Sequence, residues 1–160
     1  MQGGYELRDM AQPDVPVVAR IWHEGWHDGH AAVVPASLTV LRVLDSFAAR
    51  SADQIAATRV GVKDGAVTGF CMVHDDELYQ MYVAPEGRGT GLAQALMADA
   101  ETRIAAAGHR RAWLACAMGN DRAAAFYRKC GWENAGTFPV DLDTSAGAYT
   151  LDVWRFEKAL

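Results

Sequence analysis

Apolar positions along the chain repeat with the two-residue step of strands or the three-to-four-residue step of helices. Tyr5-Glu6-Leu7-Arg8 alternates, as a strand with one buried face does. Behind Pro13 and Asp14, which suit a helix's first turn, Val18, Ile21, Trp22, Gly25 and Trp26 recur at helical spacing. Residues 29–35 interrupt that helix, and Ser37 can cap a second one running to about Arg50. Strands over 58–62 and 66–73 join at Lys63-Asp64-Gly65, a short hairpin signal. A strand over 77–83 alternates until Pro85 stops it. Leu92, Leu96, Ala100 and Ile104 then share one face of a long helix that ends at Gly108. The stretch 112–118 is apolar on both faces, which suits a central strand covered on two sides. Asn120 caps a further helix with Ala123, Phe126, Tyr127 and Cys130 on one face, closed by Gly131. Strands over about 133–141 and 148–156 complete the order β-α-α-β-β-β-α-β-α-β-β, a mixed α+β sheet domain. No repeat or linker divides residues 1–160, so a single domain is expected.

The most informative segment runs over 78–108: a strand, a turn containing Arg88, Gly89 and Gly91, and the long helix. Such an order gathers unpaired backbone N–H groups and the positive end of a helix at one point, which is how folds hold a phosphate or pyrophosphate. Glycines at 89 and 91 let a ligand reach main-chain groups that a Cβ would shield. The other phosphate motifs do not fit: G-x-x-x-x-G-K-[ST] is absent, and neither Gly87 nor Gly89 begins a G-x-G-x-x-G.

Arg88-x-x-Gly91-x-Ala93 after a strand resembles the [QR]-x-x-G-x-[GA] pattern of the GCN5-related N-acetyltransferase (GNAT) superfamily. Asn120-x-x-Ala123-x-x-Phe126-Tyr127-x-x-x-Gly131-Trp132 is similar to that family's second conserved block, with Trp132 where Phe or Tyr is usual. The resemblance implies a mostly antiparallel central sheet of about seven strands with helices on both faces, strands four and five splaying apart after Val83. It implies that Arg88, Gly89, Thr90, Gly91, Leu92 and Ala93 cradle the pyrophosphate of acetyl-CoA. The backbones of Met81 and Val83 would pair with the pantetheine arm, the Val83 N–H would polarise the thioester carbonyl, and Asn120 and Tyr127 would lie beside the arm. The implied activity is acetyl transfer to a primary amine of a small molecule or amino acid.

That chemistry needs a neutral amine and a proton for the departing thiolate. An alkyl ammonium of pKa ~10.4 is only ~0.04% neutral at pH 7, a penalty of about 4.6 kcal/mol, so a base is worth having. Glu77, at the start of strand four on the face shared by Tyr79, Met81 and Val83, is the candidate, with Asp75 and Asp76 as alternatives. A glutamate on that strand, acting through water, is what the resemblance also implies. Tyr127 can give its proton to a thiolate whose conjugate acid titrates near ~8.5. In the fold this chain resembles, the amine enters opposite the coenzyme, which brings Trp26, His27, His30, Tyr79 and Asp141-Leu142-Asp143 forward as the acceptor wall. Aromatic faces with a few carboxylates suit a small cationic or amphipathic amine.

His23-Glu24-Gly25-Trp26-His27 also matches H-E-x-x-H, the zinc-metalloprotease signature. A third ligand does not follow at metzincin spacing, where His30 and Val33 stand, and Gly25 weakens the helix that would present the imidazoles. No catalytic metal is expected. A zinc hydrolase and a non-catalytic acyl-CoA sensor are the competing classes, and retention of both Glu77 and Tyr127 favours the enzyme.

Composition changes the picture little. The net charge is −5 with scattered basic residues, which argues against nucleic acid as a partner. Residues 2–9 lack the apolar core of a signal peptide, and no apolar run is long enough to span a membrane. Cys71, Cys116 and Cys130 are widely spaced and odd in number, as buried free thiols in a reducing cytoplasm would be. The expected partner is a small-molecule amine, and a homodimer stays open.

Overall fold

A computed structural model describes residues 4–160, so the first three residues, with part of the polar 2–9 stretch, lie outside it. The strands are β1 (Tyr5–Asp9), β2 (Thr58–Lys63), β3 (Ala66–His74), β4 (Glu77–Val83), β5 (Arg111–Ala117), β6 (Glu133–Thr144) and β7 (Gly147–Ala159). The helices are α1 (Val15–His30), the single turn α2 (Ala36–Thr39), α3 (Leu44–Asp53), α4 (Leu92–Ala106) and α5 (Asp121–Lys129). The strands form one sheet in the order β1-β2-β3-β4-β5-β7-β6. Every neighbouring pair is antiparallel except β4 and β5, which are parallel and joined by the α4 crossover.

Each face of the sheet carries its own core. On one, Trp22 and Trp26 of α1 and Phe47 of α3 pack on Phe70 and Met72. On the other, Leu92, Leu96 and Ile104 of α4 pack on Cys71, Leu114 and Phe156. Strand β3 serves both, because successive side chains leave opposite faces. The β2–β3 hairpin turns at Asp64 (φ 52°) and Gly65 (φ 79°), both left-handed as a tight two-residue loop requires.

Four features depart from the sequence reading. The helix expected from Ser37 to Arg50 is broken between Thr39 and Leu44. Leu38 and Phe47 are both fully buried, yet nine residues of continuous helix would set them on opposite faces, so the chain must break to bury both. Ser37 does not cap; its hydroxyl hydrogen-bonds the Tyr149 hydroxyl at 2.6 Å. On β5, Ala112, Leu114 and Cys116 join the α4-side core, and the opposite face, with Trp113 and Ala115, borders an open cleft instead of a second helical layer. The last hairpin is longer than expected, reaching Thr144 and Ala159. Finally, β4 does not alternate. Met72 pairs with Gln80 and Val73 with Leu78, which leaves Tyr79 as an extra residue, a β-bulge. Leu78, Met81 and Val83 therefore pack toward α4, and Tyr79 and Tyr82 toward α1. The common face assigned to Tyr79, Met81 and Val83 does not exist, because one inserted residue reverses the two-residue parity.

The glycines of α1 have a packing role. A Cβ on Gly25 would stand 2.4 Å from Cδ1 of Tyr82, and one on Gly29 would stand 2.9 Å from Nδ2 of Asn120. Without side chains there, α1 lies close against β4 and the start of α5, at the edge of the cleft. Gly25→Val should therefore destabilise the fold by about 1–3 kcal/mol, as overpacking does. The urea midpoint should fall with an unchanged slope, and an undiminished midpoint would show that Tyr82 moves aside freely.

Candidate active site

The parallel neighbours β4 and β5 are in register only at Glu77 and Trp113, where the Trp113 N–H donates to the Asp76 carbonyl at 3.1 Å. Beyond that point they part, leaving an open sheet edge inside the molecule. The register with β3 decides which groups face the gap. The Ala84 N–H donates to the Thr68 carbonyl at 2.8 Å, so Thr68–Ala84 is a bonded pair and, two residues on, Phe70–Tyr82 is the next. The intervening Met81 and Val83 thus turn their N–H and C=O groups away from β3 and toward β5. The gap opens into a cleft of about 1270 Å³.

The turn into α4 stands at the mouth of this gap. Gly89 (φ 73°) and Gly91 (φ 85°) are left-handed, and Gly91 takes the N-cap position. Conformation, more than room, requires glycine here: a Cβ at Gly89 would meet nothing within 4 Å, and one at Gly91 only the Tyr5 hydroxyl at 3.9 Å. Thr90 braces the loop by donating to the Gly87 carbonyl at 2.6 Å. Among the described residues, the N–H groups of Gly89, Thr90, Gly91, Ala93 and Gln94 have no hydrogen-bond acceptor. With the positive end of α4 behind them and exposed Arg88 alongside, they form an anion-binding concavity. Arg88, Gly89, Gly91, Leu92 and Ala93 line the cleft; Thr90 supports from behind.

Glu77 and Tyr127 line the same cleft. Burial, reinforced by the adjacent Asp76 and opposed by Arg155, pushes the Glu77 carboxyl up to about 7. Asp75 and Asp76 are not cleft residues: Asp75 pairs with His109 at 2.7 Å, and Asp76 accepts from the Trp113 indole N–H at 3.0 Å. Tyr127 packs its ring on Phe156, with centroids 5.6 Å apart, and burial raises its phenol well above the ordinary value. Burial acts equally on the neighbouring Cys116 thiol, pushed up to about 12, and on the Tyr82 phenol. Asn120 caps α5, its Oδ1 accepting from the Ala123 N–H at 3.3 Å, and reaches the cleft where α1 passes.

Of the acceptor-side residues, Trp26, His30, Tyr79, Asp141, Leu142 and Asp143 line the cleft and His27 does not. His27 points toward the break before α3, where its Nε2–H donates to the Arg42 carbonyl at 2.7 Å. His30 lies flat on Trp26, ring centroids 4.8 Å apart, and its Nδ1–H donates to the Trp26 carbonyl at 2.9 Å. Burial brings its pKa down to about 4, so at neutral pH its Nε2 is left as an acceptor. His23 packs edge-on against Phe47 and His27. His23 and His27 thus face α3 and the break before it, Glu24 is exposed, and no group of three or more metal-ligating side chains occurs among the described residues. Asp141 accepts from the Thr150 hydroxyl, and Asp143 offers its backbone carbonyl to Arg42.

The family model described as the acetyltransferase (GNAT) family matches residues 19–132. The chain belongs to that family. An uncharacterized N-acetyltransferase of Mycobacterium bovis is 35% identical over 112 residues, which cover 67% of this chain and 69% of the relative. A GCN5-related N-acetyltransferase structure from Rhodopseudomonas palustris superposes with a TM-score of 0.76 at 21% identity, covering 100% of this chain and 98% of that one. The PaiA N-acetyltransferase from Thermoplasma acidophilum, solved with coenzyme A, gives 0.72 at 18% identity over 98% and 99%. The mixed, mostly antiparallel sheet with its parallel β4–β5 step is thus the GNAT fold.

The cleft residues missed by the sequence reading include Tyr82, Cys116, Arg42 and Arg50. Tyr82 was hidden by the bulge. Arg50 did leave a signal, since it follows Phe47 by three residues and so shares the apolar face of α3.

Because burial favours the protonated form of Glu77, its contribution to stability is fully present below the unfolded value of 4.5 and is lost as pH rises through about 7. Glu77→Gln removes that loss. The variant should be more stable than the parent by about 1–2 kcal/mol at pH 8, the shift being discounted for partial exposure, and no more stable at pH 4. Urea unfolding at both pH values checks this, and equal stability at pH 8 would contradict it.

Proposed function

We propose that this protein transfers the acetyl group of acetyl-CoA to a primary amine of a small molecule or amino acid. The observation carrying this reading is the meeting of an anion cradle, an open β4 edge, a near-neutral carboxyl and a phenol in one cleft. The cradle's free N–H groups suit a pyrophosphate, and the β4 edge suits a thin arm carrying amide groups that can take the place of a strand. The PaiA complex with coenzyme A, and the family itself, support the same donor. When bound, acetyl-CoA supplies a thioester carbonyl open to attack by nitrogen.

The chain's own groups then account for the protons. Glu77, with its carboxyl near neutrality, takes one proton from the incoming ammonium, directly or through water, and passes it to solvent. The Val83 N–H, turned toward the gap, is available to the oxygen that gains negative charge. The second nitrogen proton must end on sulfur, and Tyr127 gives its phenol proton to the thiolate and recovers that one. A phenol raised by burial is a weaker acid than usual, but the same burial makes a thiolate a stronger base, as Cys116 demonstrates.

Screening primary amines with acetyl-CoA while following thiol release tests the activity. Tyr127→Phe should lower kcat by ~10²-fold or more with little change in acetyl-CoA KM, since it removes a proton transfer made only in the transition state. Wild-type turnover in that variant would place proton donation elsewhere, Tyr82 being the neighbouring phenol. Gly91→Val forces a β-branched residue into a left-handed conformation at the cradle. Acetyl-CoA affinity measured by calorimetry should drop at least ~10-fold while circular dichroism stays native. Unchanged affinity would remove the cradle assignment.

A further inference from the structure

Arg42 and Arg50 stand on the acceptor side of the cleft, from the break before α3 and from α3 itself. Arg42 is 2% exposed. Its Nη1 donates to the Asp143 carbonyl at 2.7 Å, while its Nε, also buried, has no acceptor among the described residues. The Arg50 guanidinium lies 4.2 Å above the Trp22 ring and reaches the Tyr79 hydroxyl from Nη2 at 3.3 Å, leaving its buried Nη1 without an acceptor. No described carboxylate forms an ion pair with either. Buried guanidiniums ordinarily have a carboxylate or phosphate partner, because an unpaired buried charge is strongly disfavoured. The two also repel each other: burial and the nearby Arg50 together bring Arg42 down to about 10, still protonated at neutral pH.

A purely structural role explains only part of this. Bracing the β6–β7 hairpin accounts for Nη1 of Arg42, and stacking on Trp22 accounts for the Arg50 plane. Neither accounts for two cations being held together, with free N–H donors, in the wall of a substrate cleft. The surroundings fix both in place. His27 holds the Arg42 carbonyl, and Trp22 and Phe47 support Arg50 with ring centroids 4.2 and 5.5 Å from its guanidinium carbon. Of the cleft carboxylates, Asp143 alone acts on Arg42, from an exposed position and without forming an ion pair; Glu77 opposes Arg155, Asp141 is bonded to Thr150, and Asp28 and Asp121 are exposed at the rim.

We infer that the acceptor amine carries an oxyanion, a carboxylate or a phosphate-type group, which Arg42 and Arg50 bind while its nitrogen faces Glu77. This rests on the acetyltransferase reading and narrows its substrate class to amino acids and amino-bearing phosphates or phosphonates. Guanidinium N–H donors match the oxygens of either anion, and neutral His30 beside them adds an acceptor for the amine. The carboxylates of the β6–β7 hairpin, which made a simple cationic amine attractive, are solvent-facing by comparison.

The test uses matched triples with one side chain and three head groups: an α-amino acid, its aminophosphonate analogue and the bare amine. Across several side chains, the carboxylate or phosphonate member should exceed the bare amine in kcat/KM by about 10- to 100-fold, the worth of a hydrogen-bonded charge. The better of the two anions identifies the natural class. Arg50→Gln should shrink that ratio at least ~10-fold with acetyl-CoA KM unchanged, which lost packing alone would not do. Arg42→Lys should do the same; if it does not fold, Arg50→Gln decides. Bare amines matching the anionic members, or a preference untouched in Arg50→Gln, would overturn the inference. A binding arm separates this from the activity itself. Carboxylic acids lacking the amine should quench Trp22 fluorescence in the parent and not in Arg50→Gln, whereas their amides should not quench. If no amine is acetylated but that pattern holds, the transferase reading falls and the anion site stands. If neutral amines are turned over and the acids do not bind, the reverse is true.

Discussion

The architecture turns on a sheet that is joined across its middle at only one register pair. Strands β4 and β5 meet at Glu77 and Trp113 and then separate, so backbone donors and acceptors of β4 face a gap inside the fold. A closed sheet would satisfy those groups internally and leave no place for a ligand. Here the crossover helix α4 begins at the mouth of the gap and adds its own unpaired N–H groups. The place of the helix end follows from topology: β5 runs parallel to β4, and a parallel neighbour needs a crossover.

The β4 bulge at Tyr79 divides the site by function. Past it, Met81 and Val83 lean to the α4 side while Tyr79 and Tyr82 lean to α1. A single strand thus packs toward α4 on one face and toward α1 on the other. Close approach of α1, permitted by Gly25 and Gly29, seats Trp26 and His30 beside the cleft. Packing accounts for much of the segment from Gly25 to His30: glycines for contact, His27 to hold Arg42, His30 to stack on Trp26.

One physical cause sets the electrostatics. Desolvation raises the acids Glu77, Tyr127, Tyr82 and Cys116 and lowers the bases His30 and Arg42. Its consequences differ by group. Glu77 is brought to where a base operates near neutral pH, His30 is kept neutral, and the arginines keep their charge because their unperturbed pKa is so high. Of these groups only Glu77 is shifted toward a form that water would not favour at neutral pH, which is a cost to folding.

Much of this was legible along the chain. Element order, the glycine turn at 89–91, Asn120 as a helix cap and Gly131 as a helix stop are local signals, since each depends on residues a few positions apart. Glu77 and Tyr127 could be named as candidates because acid–base chemistry restricts residue types, and both line the cleft. What failed was whatever depends on distant partners. The break between Thr39 and Leu44 exists to bury Leu38 and Phe47 together, and the bulge is defined only by β3 across the sheet. His27 looked like a wall residue until its bond to Arg42 was seen, and two arginines eight positions apart gave no hint that they would meet in the dark of a cleft. The sequence by itself determined which segments become strands, helices and turns, because backbone preference and hydrophobic period act over short range. Only the tertiary structure decided which side chains share a cavity and which charges are left without partners, because burial and pairing are properties of what folds against them.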